Sequence, residues 1–353
     1  LSIAMLGVGP YITSSLIMQL MTMIFPALER MSKHEGELGR SRFNQYSRLL
    51  TVPLALLQGY SFLTLLTRQD IIAPLSGGAM LGALCVITAG SVLLMWIGEI
   101  ISEYKLGNGV SLLILAGIVS ALPTQIQQAA FSYSPDQLFT YIAFVLVGLL
   151  VIAGVVFISE AQRNIPITYA RRVVGSKQYG GVSTYLPMRV NNAGVIPIIF
   201  ALSLLLFPGI LANIFAVSNI ETVARIATGI SNILQNTAVY SAFYFILVVA
   251  FTFFYTAIAY DPKAISETIQ KQGGYIAGIR PGVQTAAFLQ YLLNRVTLAG
   301  AIFLGVIAIL PSIMQGLTGV TAFTVGGTSI LIVVSVALET MKQLEAQLSV
   351  YEY

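Results

Sequence analysis

Nine apolar runs of spanning length punctuate the chain, near residues 3–25, 48–66, 79–99, 110–126, 137–158, 192–212, 237–259, 292–311 and 326–344. About 20 apolar residues cross a ~30 Å hydrocarbon core as a helix. The pattern therefore predicts an all-α, polytopic membrane protein. Two runs are irregular. The first contains Gly7, Gly9 and Pro10, followed by Thr13, Ser14, Ser15 and Gln19. A Gly-Pro break with a small polar stripe suits a broken helix lining an aqueous or protein-filled cavity. The fourth opens at Gly107-Asn108-Gly109, a turn signal. It meets Pro123 after Val110 to Leu122, about 20 Å of helix at ~1.5 Å per residue. This run is either a short span beside a central pathway or a helix that overruns Pro123 toward Ile126.

Charge sorts the gaps between runs. Alternate gaps hold Arg30, Lys33, Arg40, Arg42, Arg48, Lys105, Arg163, Arg171, Arg172, Lys177, Arg189, Lys263, Lys271, Arg280, Arg295 and Lys342; the others hold only Arg68 and Arg225. Sixteen of the 18 cations on one side is the positive-inside asymmetry, so the rich gaps are expected in the cytoplasm. The long ones, 27–47, 160–190 and 260–291, combine Gly, basic residues and apolar anchors and predict ordered hairpins. The outer gaps are mostly short; 213–236 is the longest, with room for an interfacial helix. The same rule puts Leu1 on the outer face with no signal peptide in view, so a preceding segment with at least one span is expected. Blocks 1–126 and 137–345 are candidate halves of an inverted repeat.

Composition agrees: 56% hydrophobic residues, 9% charged and a mean hydropathy of +0.84 exclude an ordinary soluble domain, which carries about 25% charge. The one cysteine, Cys85, lies inside an apolar run and reads as a small packing residue. The one histidine, His34, lies in a cytoplasmic gap, which excludes a histidine metal cluster. Walker, H-E-x-x-H and G-x-S-x-G patterns are absent. Glu99, Glu103, Glu160, Asp261 and Glu339 fall at cytoplasmic span ends or in loops, where capping and solvation account for them. No ionisable residue lies near an expected midplane, where ion-coupled carriers usually need one. No catalytic residue, metal or cofactor is expected, which weakens an intramembrane enzyme and a secondary transporter of small solutes alike. What remains at that depth is neutral, notably Gln58, Asn191 and Asn192, of the kind that hydrogen-bonds helix to helix. Gln58 and Asn191 are candidates for a separable helix seam.

Several motifs occur in order: Gly7-Val8-Gly9-Pro10-Tyr11-Ile12, the basic stretch from Lys33 to Arg40, Gly107-Asn108-Gly109, and Pro166 to Arg172. They continue through Tyr179-Gly180-Gly181, Ser183 to Pro187, Asn192 to Pro197, Lys271 to Gly274, Gly278 to Gly282, and Gly326 to Ser329. From Leu1 to about Gln347 the chain resembles the SecY family, the channel subunit of the bacterial Sec protein translocon. The resemblance implies ten spans in two inverted halves around an hourglass pore. Nine would be present here, spans two to five in 1–126 and six to ten in 137–345, without the first span and the plug. It implies a passive protein-conducting channel, not an enzyme, in the bacterial cytoplasmic (inner) membrane. Such a channel passes unfolded secretory polypeptides and releases apolar segments sideways into lipid.

The resemblance also assigns residues. The pore ring corresponds to Val8, Ile12, Val110, Ile114, Ile199 and Ile332. An apolar collar offers a hydrated ion no partner and gates by dewetting, and Val8/Ile12 and Val110/Ile114 are spaced to share a helix face. The lateral gate lies between runs 3–25 and 48–66 on one side and 192–212 and 237–259 on the other, with Thr13, Ser14, Gln58 and Asn191 as candidates. Arg171, Arg172, Lys177 and Arg280 correspond to docking points for the ribosome and the SecA motor, where cations suit RNA phosphates or an acidic protein surface. Ser176 stands where relatives often carry a basic residue, and the tail from Ser349 to Tyr353 does not match. The implied partners are the small membrane subunits SecE and SecG, the SecA ATPase, the ribosome with its RNA and proteins, signal peptides and nascent chains, and membrane lipid. No cofactor is implied.

Overall fold

In the computed structural model each of the nine apolar runs coincides over most of its length with a helix. The structure describes all residues except 1, 34, 69, 106, 132–137, 170–171, 175–176, 180–182, 192, 216–224, 226–227, 230–232, 234–235, 319–325 and 352–353. The chain packs as two compact units: Leu1–Ser132 with Ile199–Tyr244 and Val336–Tyr353, and Tyr133–Ile198 with Phe245–Ser335.

The first unit opens with turns over residues 3–8, Gly7 at φ +55° among them. Helix α1 then runs Gly9–Ile24, with Pro10 in its first turn, where a missing N–H leaves no bond unmade. The Gly-Pro signal therefore marks the start of this helix rather than a break inside it. The break comes later. Phe25 is extended (φ −108°, ψ 107°), as expected of a residue held by a following proline. Helix α2, Pro26–Lys33, leaves at 115° to α1. Helices α3 (Gly36–Arg68), α4 (Gly77–Glu103) and α5 (Gly109–Phe131) follow, α1 packing on α3, α3 on α4 and α4 on α5. Thus the basic stretch 27–47 is a helix–turn–helix. Helix α5 carries Pro123 in its interior and extends 23 residues, so of the two readings of the fourth run the overrun is correct. Leu63, Leu84 and Ile87 form the buried centre between α3 and α4.

The second unit begins with α6, Leu138–Glu160. Region 160–190 is a β-hairpin: β1 (Gln162–Tyr169) pairs antiparallel with β4 (Ser183–Arg189), and β2 (Arg172–Val174) pairs with β3 (Lys177–Tyr179). Helix α7, Ile196–Phe215, is shared between the units, as is α8, Thr237–Ala259. Asp261 caps α9 (Pro262–Lys271), its Oδ1 accepting from the backbone N–H of Lys263 at 2.9 Å and of Ala264 at 3.3 Å. Strand β5, Gly274–Ile276, completes a β4-β1-β5 sheet. Helices α10, Val283–Thr318, and α11, Gly326–Tyr351, end the fold. Ile165, Ile167, Met188, Ile269, Ile276, Leu289, Leu292 and Leu293 make one buried core from the sheet, α9 and the start of α10.

Among the described residues, four helical stretches are long and apolar enough to cross a membrane, or five if the bent α1–α2 pair is one span. They are Gly36–Thr67, Gly77–Glu103, Thr237–Lys271 and Val283–Gly316. Prolines at 53, 123, 208 and 311 sit inside helices, as membrane helices tolerate. Cys85 is exposed on α4 rather than packed. It shares α4 with the exposed Leu81, Val86, Leu93 and Trp96; a membrane helix can leave such a face to lipid without a solvation cost. The expected interfacial helix in 213–236 falls mostly outside the described residues.

Candidate functional site

Three of the four neutral polar candidates meet at one seam. Thr13 Oγ1 donates to the carbonyl of Gly9 at 3.0 Å and accepts from Gln58 Nε2 at 3.3 Å. Ser14 Oγ donates to the carbonyl of Ser47, which also accepts from Thr51 Oγ1 at 2.8 Å. Thr13, Ser14 and Gln58 are all buried. The Gln58–Thr13 and Ser14–Ser47 bonds run between α1 and α3, so they hold these two helices together as one wall. Asn191, in the other unit, follows the residue whose backbone N–H ties β4 back to Ala161 at 2.9 Å. Its Oδ1 is buried and has no hydrogen-bond partner among the described residues. Asn192 lies outside the described residues.

Five of the six ring candidates sit on α1, α5, α7 and α11, and the sixth, Val8, immediately precedes α1. Val8 precedes the first residue of α1 and its carbonyl accepts from the N–H of Ile12 at 3.1 Å, which stacks the two side chains on one face. Both are buried. Val110 and Ile114 occupy the first turns of α5, half-buried, and Ile199 is half-buried near the start of α7. Ile332 is buried on α11. The first five belong to the first unit and Ile332 to the second. Val110 packs against α4 where Gly98 gives it room: a methyl on Gly98 would stand 3.3 Å from Val110 Cγ2.

Of the basic candidates, Arg280 is the fully described one. It is exposed on a turn between Gly278 (φ +83°) and Gly282 (φ +96°), backbone conformations that favour glycine. Three bonds fix that turn. Ile279 N–H donates to Ile276 at 3.0 Å, Thr285 Oγ1 to the carbonyl of Arg280 at 3.0 Å, and Ser266 Oγ to the carbonyl of Gly282 at 2.7 Å. The buried sheet core lies beneath, so the guanidinium is held out from a rigid base. Arg171 lies outside the described residues. Arg172 starts β2 and Lys177 starts β3, described here as backbone. Among the described residues, no group of three or more His, Cys, Asp and Glu is placed to hold a metal ion.

A protein-family model for SecY matches residues 2–341. The chain belongs to the SecY family. The protein translocase subunit SecY of Corynebacterium glutamicum is 42% identical over 374 residues, covering 99% of this chain and 82% of the relative. Among solved structures, one of a protein-conducting channel superposes with a TM-score of 0.67 at 20% identity, covering 98% of this chain and 82% of its own. A channel solved in a canine ribosome–channel complex from the endoplasmic reticulum gives 0.63 at 19%, covering 98% and 81%. These likenesses establish a polytopic helical membrane fold, and SecY is a family of translocation channels rather than of enzymes.

Within this SecY-family chain the structure adds contacts the sequence did not disclose. Arg48 Nε donates to Glu99 Oε1 at 2.6 Å, joining α3 to α4. The Glu99 side chain is only 14% exposed, so this carboxylate is paired rather than simply solvated at a span end. Both residues sit at the ends of neighbouring runs that the charge pattern assigns to the same side, and that shared depth was the available signal. The hydroxyls bonded to the Ser47 carbonyl gave no such signal, because any serine can serve.

Proposed function

We propose that this chain is the pore-forming subunit of a protein-conducting channel in a bacterial cytoplasmic membrane, with its long basic loops in the cytoplasm. It passes unfolded secretory polypeptides outward and releases apolar segments into lipid. The observation that carries the reading is α1. At 16 residues it is about 24 Å long, short of a ~30 Å core, with Val8 buried just before it and Ile12 buried in its first turn. A helix that begins inside the membrane leaves a path at its end. Aliphatic side chains there close the path to hydrated ions and yield to an extended chain of any sequence.

On this reading Val8, Ile12, Val110, Ile114, Ile199 and Ile332 form the collar. Blocks 1–126 and 137–345 are the two inverted halves. The lateral gate opens between α1–α3 and α7–α8. Thr13, Ser14 and Gln58 keep its first wall intact, and Asn191 is the candidate contributed by the second unit. Arg171, Arg172, Lys177 and Arg280 dock the SecA motor or the ribosome, a role supported by the rigid presentation of Arg280. SecE and SecG complete the channel, and signal peptides enter at the gate.

Replacing Ile199 or Ile332 by Asn tests the collar. The expected result is a larger ion leak and export of proteins with defective signals. Unchanged leak and unchanged signal selectivity would remove the collar assignment.

A further inference from the structure

Helix α5 is set against α4 with no room to move. A Cβ on Gly109 would lie 1.8 Å from the carbonyl oxygen of Gly98 and 2.7 Å from its carbon, and both glycines are buried. One hydroxyl spans the same contact. Ser102 Oγ donates to the Gly98 carbonyl at 3.0 Å and accepts from the Gly109 N–H at 2.9 Å. That satisfies an otherwise unpaired donor at the start of α5 and fixes the rotation of α5 about its own first residue. Asn108 Oδ1 accepts from Ser111 N–H at 3.2 Å and caps the same turn.

The connection itself is constrained from a second direction. Lys105 (φ +57°) and Gly107 (φ +137°) hold left-handed conformations. The tail of α11 lies over them within the same unit: Gln347 Nε2 donates to the Lys105 carbonyl, and a Cβ on Gly107 would come 3.3 Å from Gln343 Oε1 and 3.5 Å from Thr340 Oγ1. The next residue after Gly109 is Val110, and Ile114 follows one turn later. Ile332 stands two turns before Thr340 on the same unbroken helix.

We propose that Gly98, Ser102 and Gly109 form a clasp that sets the depth and rotation of Val110 and Ile114, with the α11 tail bracing it. They are positioning residues, acting through the collar and not touching the translocating chain. The idea rests on the channel reading above. Close backbone approach selects glycine at 109, and at 98 a Cβ would press on the Val110 and Leu113 side chains at 3.3 Å. The serine hydroxyl is selected because it alone bonds both sides of the contact, and its loss lets α5 slide or turn while the fold persists.

The test uses the complete channel containing this chain, reconstituted in lipid vesicles, with ion conductance and export of a signal-defective reporter as readouts. Loss of one ordinary hydrogen bond corresponds to about a fivefold shift in the closed-to-open ratio, so Ser102→Ala should raise leak about fivefold. Ser102→Thr, which keeps the hydroxyl, should restore the seal, and Gly109→Ala should leak at least as much as Ser102→Ala. Ile114→Asn serves as the reference for the collar. If Ile114→Asn leaks while Ser102→Ala does not, or if Ser102→Ala and Ser102→Thr leak equally, the clasp is wrong and the channel reading stands. If Ile114→Asn and Ser102→Ala are both tight, the collar itself falls and takes the clasp with it. Should Gly109→Ala not accumulate, the serine pair decides alone.

Discussion

A methyl group placed on Gly90 would lie 2.2 Å from the carbonyl oxygen of Ile3, so the turns before α1 press directly on α4. Contacts of this kind are invisible in sequence, where Gly90 looks like any small residue in an apolar run. Gly90→Ala forces the opening segment off α4 and is expected to cost roughly 1–3 kcal/mol. Thermal unfolding in detergent reads this; an unchanged midpoint would mean that residues 3–8 do not rest there. The aliphatic ring candidates are equally anonymous as single residues, since Ile and Val pack everywhere in a membrane protein. Only the ordered motifs around them, such as Gly7 to Ile12 and Gly107 to Gly109, single them out. Cys85 misled for a similar reason: an apolar neighbourhood in sequence does not say whether a helix face meets protein or lipid.

Elements were legible where their signal was long. Proline obscured the short ones. Ile165, Ile167 and Tyr169, with Leu186 and Met188, carry the period-2 alternation of strands, yet Pro166 and Pro187 interrupt both runs. The fold tolerates Pro166 because β5 pairs with β1 only from Ile167 to Tyr169, so at Pro166 strand β1 is bordered by β4 alone. Helix α5 shows the reverse error that proline invites, since Pro123 suggests a stop where the helix continues to Phe131. Between α1 and α3 the polar seam should contribute measurably. Ser14→Ala removes a buried donor to the Ser47 carbonyl and is expected to lower stability by about 1 kcal/mol, read by denaturation of the purified protein. At the sheet, Arg280→Glu should impair motor-driven export while expression and membrane insertion persist, because the turn that bears it is held by one backbone bond and two hydroxyl-to-carbonyl bonds, none of which uses its charge. Equal survival of both export routes would remove its docking role.

For the whole molecule, hydropathy and the sixteen-to-two division of cations set out the spans and their expected sidedness before any coordinates. What they could not supply was whether distant positions meet on a common axis, as proposed for the collar, because apolar residues facing lipid and apolar residues lining a collar look alike. That meeting is the central claim. Its most direct measurement is site-specific crosslinking to a stalled, signal-bearing nascent chain. The exposed Cys85 is first replaced by Ser so that no native thiol competes. Cysteines are then introduced singly as Ile12→Cys, Ile332→Cys and, on the exposed face of α6, Leu146→Cys. Adducts from positions 12 and 332 to the same stretch of the nascent chain, with none from 146, are the predicted result. Adducts from 146 without any from 12 and 332 would contradict an aliphatic collar around the translocating polypeptide.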